Sequence, residues 1–145
     1  MIRIVCLGKI KETYLKEGIE DYLKRVTKYH KIEIIELKDD ENILKEETEI
    51  IKYIDNHNFN VAMDIDGKKI DSVELSKMID RKLMEYSNIT IFIGSSNGLS
   101  DYIKSKMNMK LSFGDITMTH GMFRMVLLEQ IYRSFKILNN ESYHK

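Results

Sequence analysis

The sequence contains no proline, only one cysteine and no excess of charge of either sign. Without proline, there is no rigid Pro-rich spacer that would separate two domains. The lone thiol of Cys6 can neither close a disulfide within the chain nor complete a zinc site, which fits a reducing compartment. Because 23 basic residues balance 23 acidic ones, binding of nucleic acid through overall positive charge is excluded, and any phosphate contact requires a local patch.

Long apolar runs are missing as well. No stretch approaches the ~20 residues that cross a bilayer, and the apolar residues 1–7 are too few for a signal peptide. The composition, 43% hydrophobic and 32% charged over 145 residues, is that of an ordinary globular domain. We therefore expect a single domain over residues 1–145, in a soluble, cytoplasmic protein with no membrane partner.

Short apolar runs alternate with longer segments of helical period. Strands are predicted at residues 2–7, 32–37, 60–65, 89–93 and 111–116, the third closed by a turn at Asp66-Gly67. Helices are predicted at residues 12–29, 39–54, 71–83, 100–107 and 122–138, with Asp71 and Ser100 as caps. This alternation predicts an α/β fold, in which a mostly parallel sheet carries helices on both faces.

Ligands of such a fold bind where the carboxyl ends of the strands turn into helices. Gly8, after the first strand, lacks the further glycines of a dinucleotide fingerprint, and no phosphate loop ending in Gly-Lys-Ser/Thr is present. Both absences argue against a nicotinamide oxidoreductase and a nucleoside triphosphatase. The loop 94–98, Gly-Ser-Ser-Asn-Gly, has glycines at both ends that let backbone groups face a ligand. A plain strand-to-helix connection of this composition needs no ligand, so both interpretations stay open.

The histidines indicate no metal site. All 4 lie far apart in the sequence and lack carboxylate or thiolate partners at ligand spacing. No Ser-His-Asp or Cys-His arrangement can be read from the spacing either. His120, directly before the last predicted helix, and His144, in the tail, are the better functional candidates among them.

The last predicted helix is apolar around nearly its whole circumference. A helix of this kind is buried on all sides, and a domain of this size has no deep centre to hold it. We expect part of its surface to face a second copy in a homodimer, against the alternative of a helix that only covers the sheet. Cationic and aromatic residues near the carboxyl terminus also suggest a patch that grips phosphates and stacks bases. Its members are Arg124, Arg133, Lys136, Tyr143, His144 and Lys145.

Four segments carry a more specific signal. They are Ile-Gly-Ser-Ser-Asn-Gly-Leu at 93–99, Leu-Ser-Phe at 111–113 running on to Thr119-His120, the run at 124–136, and Tyr-His-Lys at 143–145. Residues 5–11 and 64–68 extend the match over essentially the whole chain. Taken together and in this order, these motifs closely resemble the ribosomal RNA large-subunit methyltransferase H family.

The resemblance implies a SPOUT-like fold whose carboxyl-terminal chain is threaded through a trefoil knot. It also implies transfer of a methyl group from S-adenosyl-L-methionine to N3 of a pseudouridine in large-subunit ribosomal RNA, by a homodimer acting on the assembled ribosome. Carried over by motif, the cofactor-binding residues are Met63, Gly94, Phe113, Gly114, Asp115, Ile116, Thr117 and Met118. The chain departs from the family pattern at Met63, usually leucine, at Ser95, usually glycine, and at Thr119, usually proline, and it is shorter between residues 38 and 59.

Methylation of an imide nitrogen requires that its proton leave, either to a base or with stabilisation of the resulting anion. We predict that His144 and Tyr143 lie at the RNA side, with Arg124 and Arg133 holding phosphate or the developing charge. The loop 94–98 and the segment 113–118 are expected to form one cofactor pocket. Two alternatives belong to other classes: a non-catalytic dimeric ribosome-binding factor with a vestigial nucleotide pocket, and a nucleotide-binding regulator, which the missing glycine fingerprint disfavours.

Overall fold

The computed structural model describes all residues, 1–145. Its centre is a 5-stranded sheet in the order β2-β1-β4-β3-β5, and every neighbouring pair is parallel. The strands are β1 (Ile2–Leu7), β2 (Ile32–Leu37), β3 (Asn58–Lys69), β4 (Asn88–Ile93) and β5 (Met109–Ser112). The helices are α1 (Thr13–Thr27), α2 (Ile43–Ile50) with a 3₁₀ turn after it (Ile51–Tyr53), α3 (Ser72–Glu85), α4 (Asp101–Ser105) and α5 (His120–Leu138). The predicted α/β fold is confirmed.

Helices cover both faces of the sheet, because side chains alternate between the faces along each buried strand. On one face, the larger core cluster joins Ile4 and Ile91 of the strands to residues of α1, α3 and α5. On the other face, Phe92 belongs to a smaller cluster with Ile50 of α2 and Ile103 of α4. The apolar strand residues are therefore buried from two sides, as their unbroken hydrophobic runs predict.

Short polar side chains begin most of the helices. Asp71 accepts a hydrogen bond from the amide of Glu74 (2.8 Å) and Ser100 accepts one from the amide of Ile103 (3.2 Å), so both predicted caps are confirmed. The second helix begins later than predicted, at Ile43, because Asn42 accepts from the amide of Leu44 (2.9 Å) and caps it there. The acidic residues at 39–41 precede this helix instead of opening it.

The third and fifth strands differ from the prediction. The Asp66-Gly67 turn does not end β3, which continues to Lys69 after a register shift in which both Met63 and Lys68 pair with Leu111. Only glycine fits at position 67 beside β5, because a β-carbon there would lie 2.7 Å from the Lys110 carbonyl carbon. β5 ends at Ser112, well short of residue 116, because the chain turns at Gly114 with a φ of 120°, a conformation that favours glycine.

α5 packs against both α1 and α3 on the larger-core face. It begins at His120, two residues before the predicted start, with Thr119 as its cap. None of residues 121–138 is exposed, although many are only half-buried, among them Met122, Phe123, Met125 and Val126. Covering the sheet therefore accounts for much of the apolar surface of α5, and contact with a second copy stays a prediction for the rest.

No helix has both the length and the apolar character required to span a bilayer.

The contribution of α5 to the core gives a first prediction. Leu128 is fully buried, so Leu128→Ala is expected to lower the free energy of unfolding by about 2–5 kcal/mol, through lost burial and the cavity left behind. Leu44→Ala is the matched control, because Leu44 is 63% exposed and its truncation should cost no more than about 0.5 kcal/mol. Urea unfolding curves measure both values. Equal midpoints for the two variants would contradict the packing described for α5.

Candidate functional site

The carboxyl ends of all strands lie at one edge of the sheet, because every strand runs in the same direction. The segment 113–118 follows β5, the loop 94–98 follows β4, and Met63 lies on β3 between them. With neighbouring strands about 4.8 Å apart, the two segments are separated by only two strand spacings. The residues predicted to bind the cofactor are therefore brought to one region of the fold.

The loop 94–98 is a tight turn folded onto itself. The amide of Gly98 donates to the carbonyl oxygen of Ser95 (2.9 Å), and the two residues form an isolated β-bridge. A β-carbon at Gly94 would lie only 2.5 Å from the carbonyl carbon of Gly98, so no other residue fits at position 94 without opening the turn. Gly98 has a φ of 70°, in the left-handed region. A close backbone contact therefore requires glycine at position 94, and a left-handed backbone angle favours glycine at position 98.

The segment 113–118 lies against the start of α5. The ring of Phe113 packs on Phe123 with centroids 5.5 Å apart, and Phe113 and Met118 line a cavity of about 290 Å³ between α3 and α5. Ile116 is 82% exposed, an unusual position for a large apolar side chain, and Asp115 forms an exposed ion pair with Lys69 (2.9 Å). The segment therefore presents apolar surface to solvent next to a cavity.

That cavity is not shared with the glycine loop. Its remaining lining comes from α3, the residues before it, and α5: Ile70, Asp71, Ser72, Leu75, Val126 and Gln130. Neither Met63 nor any residue of the loop 94–98 lines it. The structure establishes that the two segments lie at the same edge of the sheet. That they form one common pocket stays a prediction.

The carboxyl-terminal tail gathers most of the predicted RNA-side residues at the far end of α5. The guanidinium of Arg133 lies 4.9 Å from the ring centroid of Tyr143 and donates to Nδ1 of His144 (3.1 Å). Arg133 also forms an ion pair with Glu129 (2.6 Å), which accepts a hydrogen bond from the Tyr143 hydroxyl (3.0 Å). Lys136 lies nearby, over the rings of Tyr29 and Tyr132, whereas Lys145 is exposed.

Electrostatics fix the protonation of this cluster. Burial, followed by interactions with Glu129, raises the pKa of Tyr143 to about 12, so its phenol stays protonated and acts as a donor at neutral pH. Hydrogen bonding to Glu129 raises the pKa of Arg133 above its ordinary value, which keeps the guanidinium charged. Because a guanidinium only donates, Nδ1 of His144 is the acceptor, and the proton of the neutral ring lies on Nε2.

Arg124 does not join this cluster. It is 2% exposed and donates to Glu36 (2.7 Å) and to the carbonyl oxygen of Gly8 (3.0 Å), at the carboxyl end of β1. His120 lies at the same place, since a β-carbon on Gly8 would come 3.3 Å from its Nε2 atom. The expectation of one basic patch containing Arg124 is therefore wrong: this cation is buried and paired inside the fold.

The two ends of α5 lie at opposite edges of the sheet. His120 is next to Gly8 at the carboxyl edge, whereas Phe135 stacks on Tyr29 (5.9 Å) and His30 (5.8 Å), just before β2 begins. Arg133 is more than three turns beyond His120, a rise of about 20 Å at 1.5 Å per residue. Within one chain, the tail cluster and the segment 113–118 are therefore far apart.

The sequence gives no sign of one buried polar residue at this edge. Glu46 is 1% exposed and accepts hydrogen bonds from Ser95 (2.8 Å) and Asn97 (3.2 Å) of the glycine loop. These two partners are about 50 residues away, so no local spacing could have indicated their contact with Glu46. No group of three or more His, Cys, Asp or Glu side chains is arranged to hold a metal ion.

Comparison with known proteins places the chain in a family. A sequence model described as "Predicted SPOUT methyltransferase" matches residues 1–144. The chain belongs to the SPOUT methyltransferase family. Among its relatives, a protein of Malacoplasma penetrans is 40% identical over 156 residues, and one of Clostridium botulinum is 45% identical over 157 residues. Both are named ribosomal RNA large subunit methyltransferase H, and each match covers 99% of this chain and 99% of the relative.

The fold also matches solved structures. A probable methylase family protein from Haemophilus influenzae superposes with a TM-score of 0.59 over 99% of this chain and 70% of that chain, at 14% identity. At this identity, the match supports the fold alone. The resemblance to the family is confirmed by the sequence relatives, while the trefoil knot stays a prediction.

The two glycines of the loop give a second prediction. Gly94→Ala should cost roughly 1–3 kcal/mol of unfolding free energy, because the new methyl group is forced against the backbone of Gly98. Gly98→Asn should cost clearly less, since position 98 has no atom within 4 Å of a β-carbon and asparagine tolerates the left-handed region. Chemical denaturation of both variants measures the difference. A Gly98→Asn variant as unstable as Gly94→Ala would contradict the tight turn.

Proposed function

We propose that this protein transfers a methyl group from S-adenosyl-L-methionine to N3 of a pseudouridine in large-subunit ribosomal RNA, acting as a cytoplasmic homodimer on the assembled ribosome. The observation that carries the proposal is the match, at 40% identity or more and over the full length, to proteins named for methylation of this RNA. The reaction site would combine the carboxyl edge of the sheet with the tail cluster, defined as Glu129, Arg133, Tyr143 and His144.

The residues at the carboxyl edge fit the cofactor. The loop 94–98 leaves open space beside Gly98, where no atom lies within 4 Å of a β-carbon position, so a ligand can approach its backbone there. Met63 and Phe113 are half-buried apolar neighbours suited to an adenosine ring. Ile116 offers exposed apolar surface that a ligand would cover. When bound, the cofactor supplies an electrophilic methyl group on a sulfonium, and the chain has to orient it for in-line transfer.

The departures from the family pattern do not disturb this fit. The Ser95 hydroxyl donates to Glu46 and is already satisfied, so replacing glycine adds no free polar group to the loop. Thr119, where the family usually has proline, caps α5 by accepting from the amide of Met122 (3.4 Å). Each replacement has a structural partner of its own.

Stabilisation of the acceptor anion fits the tail cluster better than removal of its proton by a free base. Tyr143 stays protonated, and the Nδ1 lone pair of His144 is already used by Arg133. What the cluster offers is the guanidinium of Arg133, which an anion would share with Glu129, and the ring N–H of His144, since the Tyr143 hydroxyl already donates to Glu129. Such groups lower the energy of an anion that develops as the imide proton leaves to water.

The distance along α5 between the tail cluster and the carboxyl edge of the sheet supports a homodimer. The tail cluster lies about 20 Å from the start of α5 by helix rise, too far to act on a methyl group held at the carboxyl edge of the same chain. A second copy whose tail reaches that edge would complete the site. The half-buried apolar surface of α5, including Met122 and Met125, is available for the contact. Arg124 would then act indirectly, by fixing the Gly8 carbonyl at the edge.

Methyl transfer separates this proposal from the non-catalytic alternative. Incubating the protein and tritiated S-adenosyl-L-methionine with ribosomes that lack the modification should label large-subunit RNA, and nucleoside mass spectrometry should assign the label to N3 of pseudouridine. Gly94→Trp should abolish labelling because its side chain fills the loop. Binding of the protein to ribosomes without transfer of label would favour the rRNA-binding factor and contradict the enzyme.

Mixed dimers test the shared site. Gly94→Trp disables the carboxyl edge and Arg133→Ala disables the tail cluster, so each homodimer should be nearly inactive. Co-expression with two different tags yields mixed dimers in which one of the two sites is intact, so activity of about half the unaltered value is expected. Mixed dimers no more active than their parents would show that each site belongs to a single chain.

A further inference from the structure

Glu46 is a buried carboxylate that no cation neutralises. It lies in α2, is 1% exposed, and takes part in none of the salt bridges of the fold. Burial of an ionised carboxylate is unfavourable unless hydrogen bonds replace its water. The hydrogen bonds of Glu46 should therefore explain why a carboxylate is buried in a helix that otherwise only covers the sheet.

Those contacts converge on the glycine loop. Oε1 of Glu46 accepts from the Ser95 hydroxyl (2.8 Å) and from Nδ2 of Asn97 (3.2 Å), while Oε2 accepts from the backbone amide of Asp40 (3.0 Å). Both oxygens are therefore used by neutral donors. Two of these three donors lie between Gly94 and Gly98, and the third is in the segment before α2.

Further bonds fasten the same loop to α2 and the segment before it. Nδ2 of Asn97 also donates to the carbonyl oxygen of Asp40 (2.9 Å), and the hydroxyl of Ser100 donates to Glu47 (2.5 Å). The amide of Asn97 donates to the Ser95 hydroxyl (3.2 Å), which in turn donates to Glu46. The side chains of Ser95 and Asn97 are thus held by α2 and its approach.

We propose that Glu46 is a positioning residue that holds the loop 94–98 in the conformation that binds the cofactor. The proposal rests on the function proposed above. Glycines at both ends would otherwise let the loop sample many conformations, and only the competent fraction binds, so the apparent dissociation constant rises as that fraction falls. Glu46 raises the fraction without touching the cofactor.

Calorimetric titration with S-adenosyl-L-methionine measures the effect. Glu46→Ala should raise the dissociation constant about tenfold or more, whereas Glu46→Gln keeps one acceptor oxygen for Ser95 and Asn97, loses only the acceptor for the Asp40 amide, and should raise it clearly less. Glu49→Ala is the matched control, because Glu49 lies on the same helix and pairs only with Lys52 on the surface. The affinity of this variant for S-adenosyl-L-methionine should be unchanged. In methyl transfer, Glu46→Ala should raise KM for the cofactor and leave kcat at saturation nearly unaltered.

Coupling distinguishes positioning from general support of the fold. If Glu46 acts through the loop, adding Asn97→Ala to Glu46→Ala should weaken binding little beyond the single variant, whereas independent effects would multiply. Should Glu46→Ala fail to fold, Asn97→Ala alone decides, because Asn97 is exposed and its loss should still weaken binding severalfold.

The possible failures are distinguishable. If the unaltered protein binds no cofactor, the proposed function is contradicted and this inference with it. If the unaltered protein binds but Glu46→Ala or Asn97→Ala binds equally well, only the positioning role is overturned. Equal weakening by Glu46→Ala and Glu49→Ala would likewise overturn it, since the effect would then belong to the helix as a whole.

Discussion

Every strand of the sheet runs in the same direction, and this direction decides where the connections and the helices lie. A parallel pair cannot be joined by a short hairpin, so each connection has to cross the sheet, and the helices come to cover both faces. The same constraint collects the turns after β1, β4 and β5, at Gly8, Gly94 and Gly114, at one edge of the sheet. Ligands of parallel α/β sheets bind at such an edge, which is why the proposed site is placed there.

α5 separates the two groups of candidate residues within one chain. It starts at the carboxyl edge and runs to the opposite edge, where Phe135 stacks on Tyr29 and the tail folds back onto Glu129 and Arg133. Donors and positive charge suited to RNA therefore collect at one end of the molecule, and the glycine loop lies at the other. In the homodimer proposed above, a second α5 would place its far end against the first chain's edge.

Local patterns predicted the elements of the fold, while contacts between distant residues decided the site. The strand runs and the caps at Asp71 and Ser100 depend on neighbours within a few positions, so they can be read from the sequence. The passage of β3 beyond Gly67 depends on pairing with β5, the burial of Arg124 depends on Glu36, and Glu46 meets partners about 50 residues away. None of these contacts has a local periodicity. The cofactor residues came from resemblance to a family, not from the pattern.

The most direct measurement of the central claim is an amide chemical-shift titration of ¹⁵N-labelled protein with S-adenosyl-L-methionine. Parallel strands bring the loop 94–98 and the segment 113–118 to one edge, and the titration tests whether they bind one ligand together. Saturable shifts at Gly94, Gly98, Phe113 and Gly114, all fitting a single dissociation constant, are the predicted result. Shifts confined to one of the two segments, or located instead at the amino-terminal edge near Tyr29 and Phe135, would contradict it.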